Sequence, residues 1–121
     1  MCGIAGLLRL DGETLPQSAT DAVKSMTDKM VYRGPDGEGL WLSGPVCLGH
    51  RRLSIIDIAG GAQPMTGPSG HTHIVYNGEI YNYRELKSEL EKRGTRFKTS
   101  CDTEALLAAY ENLGRGLRKS L

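Results

Sequence analysis

Sixteen glycines spread through 121 residues restrict this chain to short elements joined by tight turns. Turn-forming pairs such as Asp11-Gly12 and Pro68-Ser69 separate the apolar runs. The apolar runs predict strands at residues 3–10, 39–42, 46–50, 53–56 and 73–76, the first of them buried on both faces. Helical periodicity predicts three helices, at 18–30, 82–94 and from about 103 to 113. This order is typical of an α+β layered domain.

The helix ends carry local signals. Ser18 and Asp21 resemble a capping box at the start of the first helix. Asn82 is placed to cap the second, along whose outer face Lys87 and Glu91 can pair. The predicted apolar stripes are Ala19, Ala22, Val23, Met26 and Met30 in the first helix, Tyr83, Leu86 and Leu90 in the second, and Leu106, Ala109, Tyr110 and Leu113 in the third.

Charge and cysteine content exclude several classes of protein. A net charge of +1 gives no reason to expect nucleic acid or an anionic membrane surface as a partner. The sequence contains neither a signal peptide nor an apolar run of about 18 residues, the length of a membrane span. Cys2, Cys47 and Cys101 form neither a zinc pattern nor a disulfide framework, which fits a reducing cytoplasm. We expect Cys47 and Cys101 to be buried as small hydrophobic residues.

Cys2 follows the initiator methionine, and removal of Met1 would leave its thiol beside a free α-amine. The amine can then take the thiol proton, because the usual pKa values of the two groups, about 8 and about 8.5, are close together. From the first six residues alone, an incidental small residue is the simpler interpretation. If Met1 is retained, an amide nitrogen replaces the base and we expect no activity.

Two further features suggest binding of a charged ligand. Arg51 and Arg52 follow His50 at the end of a predicted strand. They are either solvated, or one guanidinium clamps a carboxylate through two parallel hydrogen bonds. Asn77 and Gly78 form either a tight hairpin turn or a pair of oxyanion donors, namely the asparagine amide and the glycine N–H.

The remaining candidates are less specific. Asp102 could be a helix N-cap, a ligand for an ammonium group, or both. His71 and His73 would share one face of a strand, but they lack a third metal ligand at convincing spacing. The positions of Cys2 and His50 in the sequence leave open a catalytic dyad between them. No phosphate-binding glycine pattern of the Walker type is present, so the sequence shows no ATP site.

Six segments, taken in order, resemble the N-terminal glutaminase domain of glutamine-dependent asparagine synthetases. These are class II glutamine amidotransferases of the Ntn-hydrolase fold. The resemblance spans residues 2 to about 113. The segments are Cys-Gly-Ile-Ala-Gly at 2–6, Arg-Gly-Pro-Asp-Gly at 33–37, His-Arg-Arg-Leu-Ser-Ile-Ile-Asp at 50–57, Gly-Ala-Gln-Pro-Met at 61–65, Tyr-Asn-Gly-Glu-Ile-Tyr-Asn at 76–82 and Thr-Ser-Cys-Asp-Thr-Glu at 99–104.

This resemblance implies a catalytic role for three residues. Cys2, freed from Met1, attacks the side-chain amide carbonyl of glutamine. Asn77 and the Gly78 N–H stabilise the tetrahedral oxyanion. Ammonia leaves, a γ-glutamyl thioester remains on the cysteine, and water releases glutamate.

The resemblance also implies how L-glutamine is held. Arg52 clamps the α-carboxylate, and Asp102 holds the α-ammonium with help from Glu79. The rest of the implied pocket is lined by the backbone of Leu53, Ser54, Ile55 and Ile56, together with Asn77 and Gly78. The guanidinium and the carboxylates would hold one end of the substrate, and this would set the distance between its side-chain amide and the thiol.

The fold implied is a four-layer αββα sandwich, which we expect to be incomplete in this chain. Residues 1–121 would be a partial class II glutamine amidotransferase domain, without its C-terminal strands and without the ATP-dependent synthetase domain. We expect no metal or cofactor in this part, since ATP and magnesium would serve the synthetase domain. Unpaired strand edges predict aggregation, dimerisation or partial unfolding of the piece alone.

Two alternatives to ammonia supply for asparagine synthesis from aspartate stay open. One is a related amidotransferase with the same glutaminase reaction and another ammonia acceptor. The other is an inactive truncated remnant that at most binds glutamine or a partner. The expected partners are L-glutamine and the synthetase domain of a full-length protein, and a homodimer is one expected assembly.

Overall fold

The computed structural model describes residues 1–54 and 59–114, which contain five strands and three helices. This mixture confirms the α+β class. The chain divides into two compact units. The first comprises Met1–Ser54, Ala62–Pro64 and Val75–Asn77, and the second comprises the rest. The assignment of residues 1–121 to one partial domain stays a prediction.

The first unit is built on a three-stranded antiparallel sheet. Its strands are β1 (Gly3–Leu8), β2 (Gly37–Ser43) and β3 (Val46–Arg52), in the order β1-β3-β2. Helix α1 (Ser18–Asp28) packs on this sheet. The three predicted strands are confirmed in position, although β1 ends at Leu8, two residues before its predicted end. Strands β2 and β3 run further than predicted because their pairing continues to Gly37 and Arg52.

One face of the sheet forms the core of the first unit. Ala19 and Val23 of α1 pack there against Cys47 of β3. Partly buried residues complete this cluster: Ala5, Leu7, Leu15, Leu40 and Leu42. The opposite face is open at β1, where Ile4 is 50% and Leu8 63% exposed. The expectation that this strand is buried on both faces was wrong, because α1 covers one face of the sheet and alternate residues of β1 point to the other.

The predicted capping box of α1 is also wrong. The N-cap residue is Gln17, and no side chain makes a capping hydrogen bond there. Instead, the hydroxyl of Thr20 donates to the Gln17 carbonyl oxygen over 2.6 Å. The helix ends at Asp28, two residues before the predicted end at Met30.

The second unit contains a short hairpin and two helices. Strands β4 (Met65–Thr66) and β5 (His73–Ile74) pair antiparallel, and α2 (Tyr83–Lys92) and α3 (Asp102–Leu113) follow. Strand β4 was not predicted, and β5 is shorter than the predicted 73–76. Residues 53 and 54 are not in a strand, and the remainder of the predicted strand at 53–56 lies outside the described residues.

Helices α2 and α3 pack together through Leu86, Leu90 and three alanines, Ala105, Ala108 and Ala109. The predicted stripe of α3 is partly wrong, since Tyr110 is 51% exposed and the buried face is centred on these alanines. The small alanine side chains allow α2 to pack closely, which a stripe chosen by side-chain size does not anticipate.

The side-chain contacts of α2 also differ from the predicted ones. Asn82 is the N-cap residue, but it makes no side-chain cap hydrogen bond. Lys87 does not pair with Glu91. Its ammonium donates to the Thr99 carbonyl oxygen at 3.1 Å and lies 5.2 Å from the centroid of the Phe97 ring. No helix in the described part of the chain combines the length and apolar character that a membrane crossing requires.

Candidate functional site

The thiol of Cys2 lies at the start of β1, where two hydrogen bonds connect it to Leu53. The main-chain N–H of Leu53 donates to Sγ over 3.3 Å, and the thiol lies 3.7 Å from the Leu53 carbonyl oxygen. Arg33 adds a third contact, from its Nε to the Cys2 carbonyl oxygen at 3.4 Å. Cys2 is partly exposed as a residue, in contrast to the two buried cysteines.

The register of the sheet brings Cys2 to the end of β3. Gly3 pairs with Arg51, so Cys2 and Arg52 are the next residues along the two strands. Arg52 is 9% exposed at the end of its strand. Cys2, Arg52, Leu53 and the main chain of Ser54 are therefore brought together, as the resemblance predicts.

Asn77 follows a residue whose main chain is held on both sides. The Tyr76 N–H donates to Oε1 of Gln63 over 2.6 Å, and Nε2 of His50 lies 3.1 Å from the Tyr76 carbonyl oxygen. The element that follows Gly78 in the described chain is α2, so no second hairpin strand comes directly after this pair. The alternative interpretation of this pair as a tight hairpin turn is therefore wrong, and the exposed Asn77 remains a candidate oxyanion donor.

His50 is buried on β3, with 1% of its surface exposed. Burial lowers the pKa of this imidazole, the nearby Arg52 charge lowers it further, and the hydrogen bond to Tyr76 acts in the opposite direction. Its ring contacts the Tyr76 carbonyl, whereas the Cys2 thiol contacts Leu53. These contacts favour a structural role for His50 over a dyad with the cysteine.

The other two cysteines are buried, as predicted. Cys47 is 0% exposed and Cys101 is 5% exposed. Burial raises the pKa of both thiols. Low exposure and a raised pKa both oppose nucleophilic reactivity, which leaves Cys2 as the accessible thiol of the three.

Asp102 belongs to the second unit, together with Gly78 and Glu79. It is not the N-cap of α3, because that position is Cys101 and no side-chain cap bond is made. One carboxylate oxygen accepts the Ile80 N–H over 3.0 Å instead. This bond ties Asp102 to the segment that follows Asn77 and Gly78 in the chain.

Ile55 and Ile56, predicted to line the pocket with their backbone, lie outside the described residues. His71 precedes β5, so the expected shared strand face with His73 is wrong. Over residues 1–54 and 59–114, no group of three His, Cys, Asp or Glu side chains is placed to hold a metal ion. A cavity of about 460 Å³ in the second unit contains no predicted site residue, and is lined by Thr72, His73, Ile74, Leu106, Leu107 and Tyr110.

Three polar side chains that hold the site segments were not singled out from the sequence. Asp36 accepts the Ser54 N–H over 2.8 Å, and Gln63 accepts the Tyr76 N–H. Glu104 accepts the N–H groups of Lys98 and Thr99 at 2.8 and 2.7 Å, just before Asp102. The signal was available, since all three lie within the segments that carry the family resemblance.

Comparison with known proteins identifies the family. The sequence profile of the glutamine amidotransferase domain matches residues 1–121. Glutamine-hydrolyzing asparagine synthetase 1 of Bacillus subtilis is 42% identical over 112 residues, which are 93% of this chain and 18% of that protein. Asparagine synthetase 2 of the same organism is 40% identical over 116 residues, covering 96% of this chain and 15% of that protein.

A relative with lower sequence identity belongs to the same class of enzyme. Asparagine synthetase B of Escherichia coli, also glutamine-hydrolyzing, is 36% identical over 116 residues, which are 94% of this chain and 20% of that protein. The chain thus spans a fifth or less of the length of these three relatives. The resemblance stated from the sequence is confirmed. The chain belongs to the glutamine amidotransferase domain family and is homologous to the N-terminal part of glutamine-hydrolysing asparagine synthetases.

Proposed function

We propose that this domain hydrolyses L-glutamine to L-glutamate and ammonia, with Cys2 as an N-terminal nucleophile. The observation that carries the proposal is the thiol at the start of β1, partly exposed and held against Leu53 beside Arg52. The other two cysteines are buried and are poor nucleophiles by comparison. The family match supports the same reaction.

The first half of the reaction acylates the cysteine. Once Met1, which is 72% exposed, has been removed, the α-amine of Cys2 takes the thiol proton. The sulfur attacks the amide carbon of glutamine, and the carbonyl oxygen becomes an oxyanion. The intermediate collapses when the amide nitrogen takes the proton from the α-ammonium and leaves as ammonia. A γ-glutamyl thioester remains, and water attacks it to release glutamate and the free thiol.

Two donors would stabilise the oxyanion. We assign this role to the Asn77 side-chain amide and the Gly78 main-chain N–H. The support is that Asn77 and Gly78 are exposed and that the preceding Tyr76 main chain is fixed by Gln63 and His50. A fixed main chain lets these donors act without reorganisation when negative charge develops.

The charged end of glutamine would be recognised by opposite charges. Arg52 suits the α-carboxylate, because a guanidinium can make two parallel hydrogen bonds to it. Asp102 and Glu79 suit the α-ammonium, and the bond from Ile80 to Asp102 fixes the direction of that carboxylate. The backbone of residues 53–56 completes the proposed pocket. We propose that glutamine hydrolysis in this domain uses no metal or cofactor.

The full-length context is proposed from the relatives. In a protein of their length, the ammonia would serve asparagine synthesis from aspartate, in a second domain that uses ATP and magnesium. We also propose the four-layer αββα sandwich, supported by α1 on one sheet face and the exposed Ile4 and Leu8 on the other. Another ammonia acceptor remains the second candidate. A cytoplasmic location and a homodimer stay predictions.

The test is glutamate release from L-glutamine by protein whose N-terminus has been read by intact mass. Release that requires both Met1 removal and Cys2 supports the proposal. The comparison variants are Cys2→Ala, expected to be inactive, and Cys47→Ala, expected to keep activity if it folds. L-Asparagine, one methylene shorter, should be turned over about 100-fold more slowly, because misplacement by about 1 Å has a cost of this size. Undiminished release by Cys2→Ala would refute the proposal.

A further inference from the structure

Asp36 lies in the loop between α1 and β2 and makes two hydrogen bonds to the end of β3. Its own N–H donates to the Arg52 carbonyl oxygen over 2.9 Å. Its carboxylate accepts the Ser54 N–H over 2.8 Å. These two bonds attach Asp36 to the residues on either side of Leu53.

Leu53 is the residue whose N–H donates to the Cys2 thiol. Strand β3 ends at Arg52, and the Leu53 N–H belongs to the same peptide group as the Arg52 carbonyl, which accepts the Asp36 N–H in the bridge between Pro35 and Arg52. The Asp36 carboxylate fixes the other side of Leu53, because it accepts the N–H of Ser54. A hydrogen bond from a main-chain N–H to a carboxylate is charge-assisted and therefore stronger than one between neutral groups.

The loop that carries Asp36 is itself fixed to the sheet. Arg51 donates from Nε to the Gly34 carbonyl oxygen at 3.0 Å and forms an ion pair with Glu38 at 2.7 Å. Gly34 packs directly on the Arg51–Arg52 peptide, where an added Cβ would lie 2.3 Å from a backbone carbon. Asp36 is therefore presented to Ser54 by a well-anchored loop.

We propose that Asp36 is a positioning residue that holds the Leu53 N–H against the sulfur of Cys2. Its carboxylate bonds to Ser54 and the thiol bonds to Leu53, so Asp36 acts through this segment and does not take the thiol proton. A donor aimed at the sulfur stabilises the negative charge that the sulfur carries when it acts as a nucleophile. This inference rests on the proposed function of Cys2 as the nucleophile.

The test measures how fast iodoacetamide alkylates Cys2 at pH 7, with the modified residue identified by peptide mass. Asp36→Ala should slow alkylation about 10-fold, the size expected when a hydrogen bond to a charged group is lost. Asp36→Asn keeps an acceptor oxygen in place and should stay within about 3-fold of the parent. Asp28→Ala removes an exposed carboxylate from α1 and should leave the rate unchanged.

Chemical denaturation of each variant shows whether the fold is retained. If Asp36→Ala does not fold, Asp36→Glu serves instead, since it keeps the charge but displaces the acceptor, and it should slow alkylation several-fold. A folded Asp36→Ala or Asp36→Glu variant alkylated at the parent rate would overturn the inference, and so would an Asp36→Asn variant as slow as Asp36→Ala. Alkylation needs no turnover of glutamine, so failure of the proposed glutaminase reaction would be recognised separately by glutamate release.

Discussion

The main-chain N–H of Leu53 donates to the sulfur of Cys2 over 3.3 Å, although the two residues are 51 positions apart in the chain. The pairing of β1 with β3 creates this contact, because it aligns Gly3 with Arg51. The geometry around the proposed nucleophile thus depends on the sheet register and on the loop that anchors the end of β3.

Substitution of Asn77 tests the proposed oxyanion donor. Asn77→Ala should lower kcat for glutamate release about 10²–10³-fold, because one preorganised donor is lost from the transition state. KM should change little, since this interaction is made mainly in the transition state. Asn112→Ala is the matched control, because the Asn112 amide donates to the Ala108 carbonyl oxygen within α3. Wild-type-like turnover in Asn77→Ala would refute the assignment.

Burial of His50 gives the domain a specific pH dependence. The pKa of His50 is lowered in the folded state, chiefly by burial and also by Arg52. The unfolded chain therefore binds the proton first. The free energy of unfolding should be highest above about pH 6.5 and should fall as pH decreases through the lower pKa of the folded state.

Urea denaturation between about pH 5 and 8 measures this dependence, because that range includes the usual histidine pKa. His50→Gln should flatten the fall, whereas His71→Gln, which changes an exposed ring, should preserve it. A slope that survives in His50→Gln would assign the dependence to other groups.

Glu104 stabilises the loop before Asp102. Glu104→Ala leaves the N–H groups of Lys98 and Thr99 without their acceptor. The free energy of unfolding should fall by about 1–3 kcal/mol, because hydrogen bonds to the charged carboxylate of the buried Glu104 are lost. Glu104→Gln keeps one acceptor oxygen and should lose less. Urea denaturation measures this difference, and Glu13→Ala, which changes an exposed glutamate, is the control. Equal stability of Glu104→Ala and the parent protein would contradict this role of Glu104.

Gly34 and Gly37 are a matched pair of positions for testing how closely the loop that carries Asp36 packs on β3. A Cβ on Gly34 would lie 2.3 Å from the Arg51 backbone, while one on Gly37 would lie 3.6 Å from the Arg52 Cβ, an ordinary contact. Gly34→Ala should lower the free energy of unfolding by at least about 1–3 kcal/mol through overpacking. Gly37→Ala should be tolerated better. Thermal or urea unfolding of both variants measures the difference, and the reverse order would show that the close approach is not a constraint.

Local patterns predicted much of the fold. The strands of the first unit and all three helices were located from apolar periodicity and turn residues, since these signals reflect the local chain. The burial of β1 was not predicted correctly, because the covering of a sheet face depends on which elements pack on it and not on the residues of the strand alone. The capping box at Ser18 failed for a local reason, since Ser18 lies inside the helix and the backbone is already helical at Gln17.

The site was predicted less completely than the fold. The resemblance named Cys2, Arg52 and Leu53, and the structure brings them together through strand pairing. Asp36 and Gln63 were not assigned roles, because each acts on the main chain of a residue that is distant in sequence. The family resemblance marks the segments that contain them, and the structure shows which N–H each side chain accepts.

The most direct test of the central claim is labelling by an electrophilic glutamine analogue with a diazoketone in place of the amide. Protein without Met1 should take up one label per chain, at Cys2, and excess L-glutamine should slow the labelling. Protein that retains Met1, and the Cys2→Ala variant, should stay unlabelled. Peptide mass mapping gives the position. A label on Cys47, Cys101 or any other residue, or an unlabelled Cys2 in processed protein that releases glutamate, would contradict Cys2 as the nucleophile.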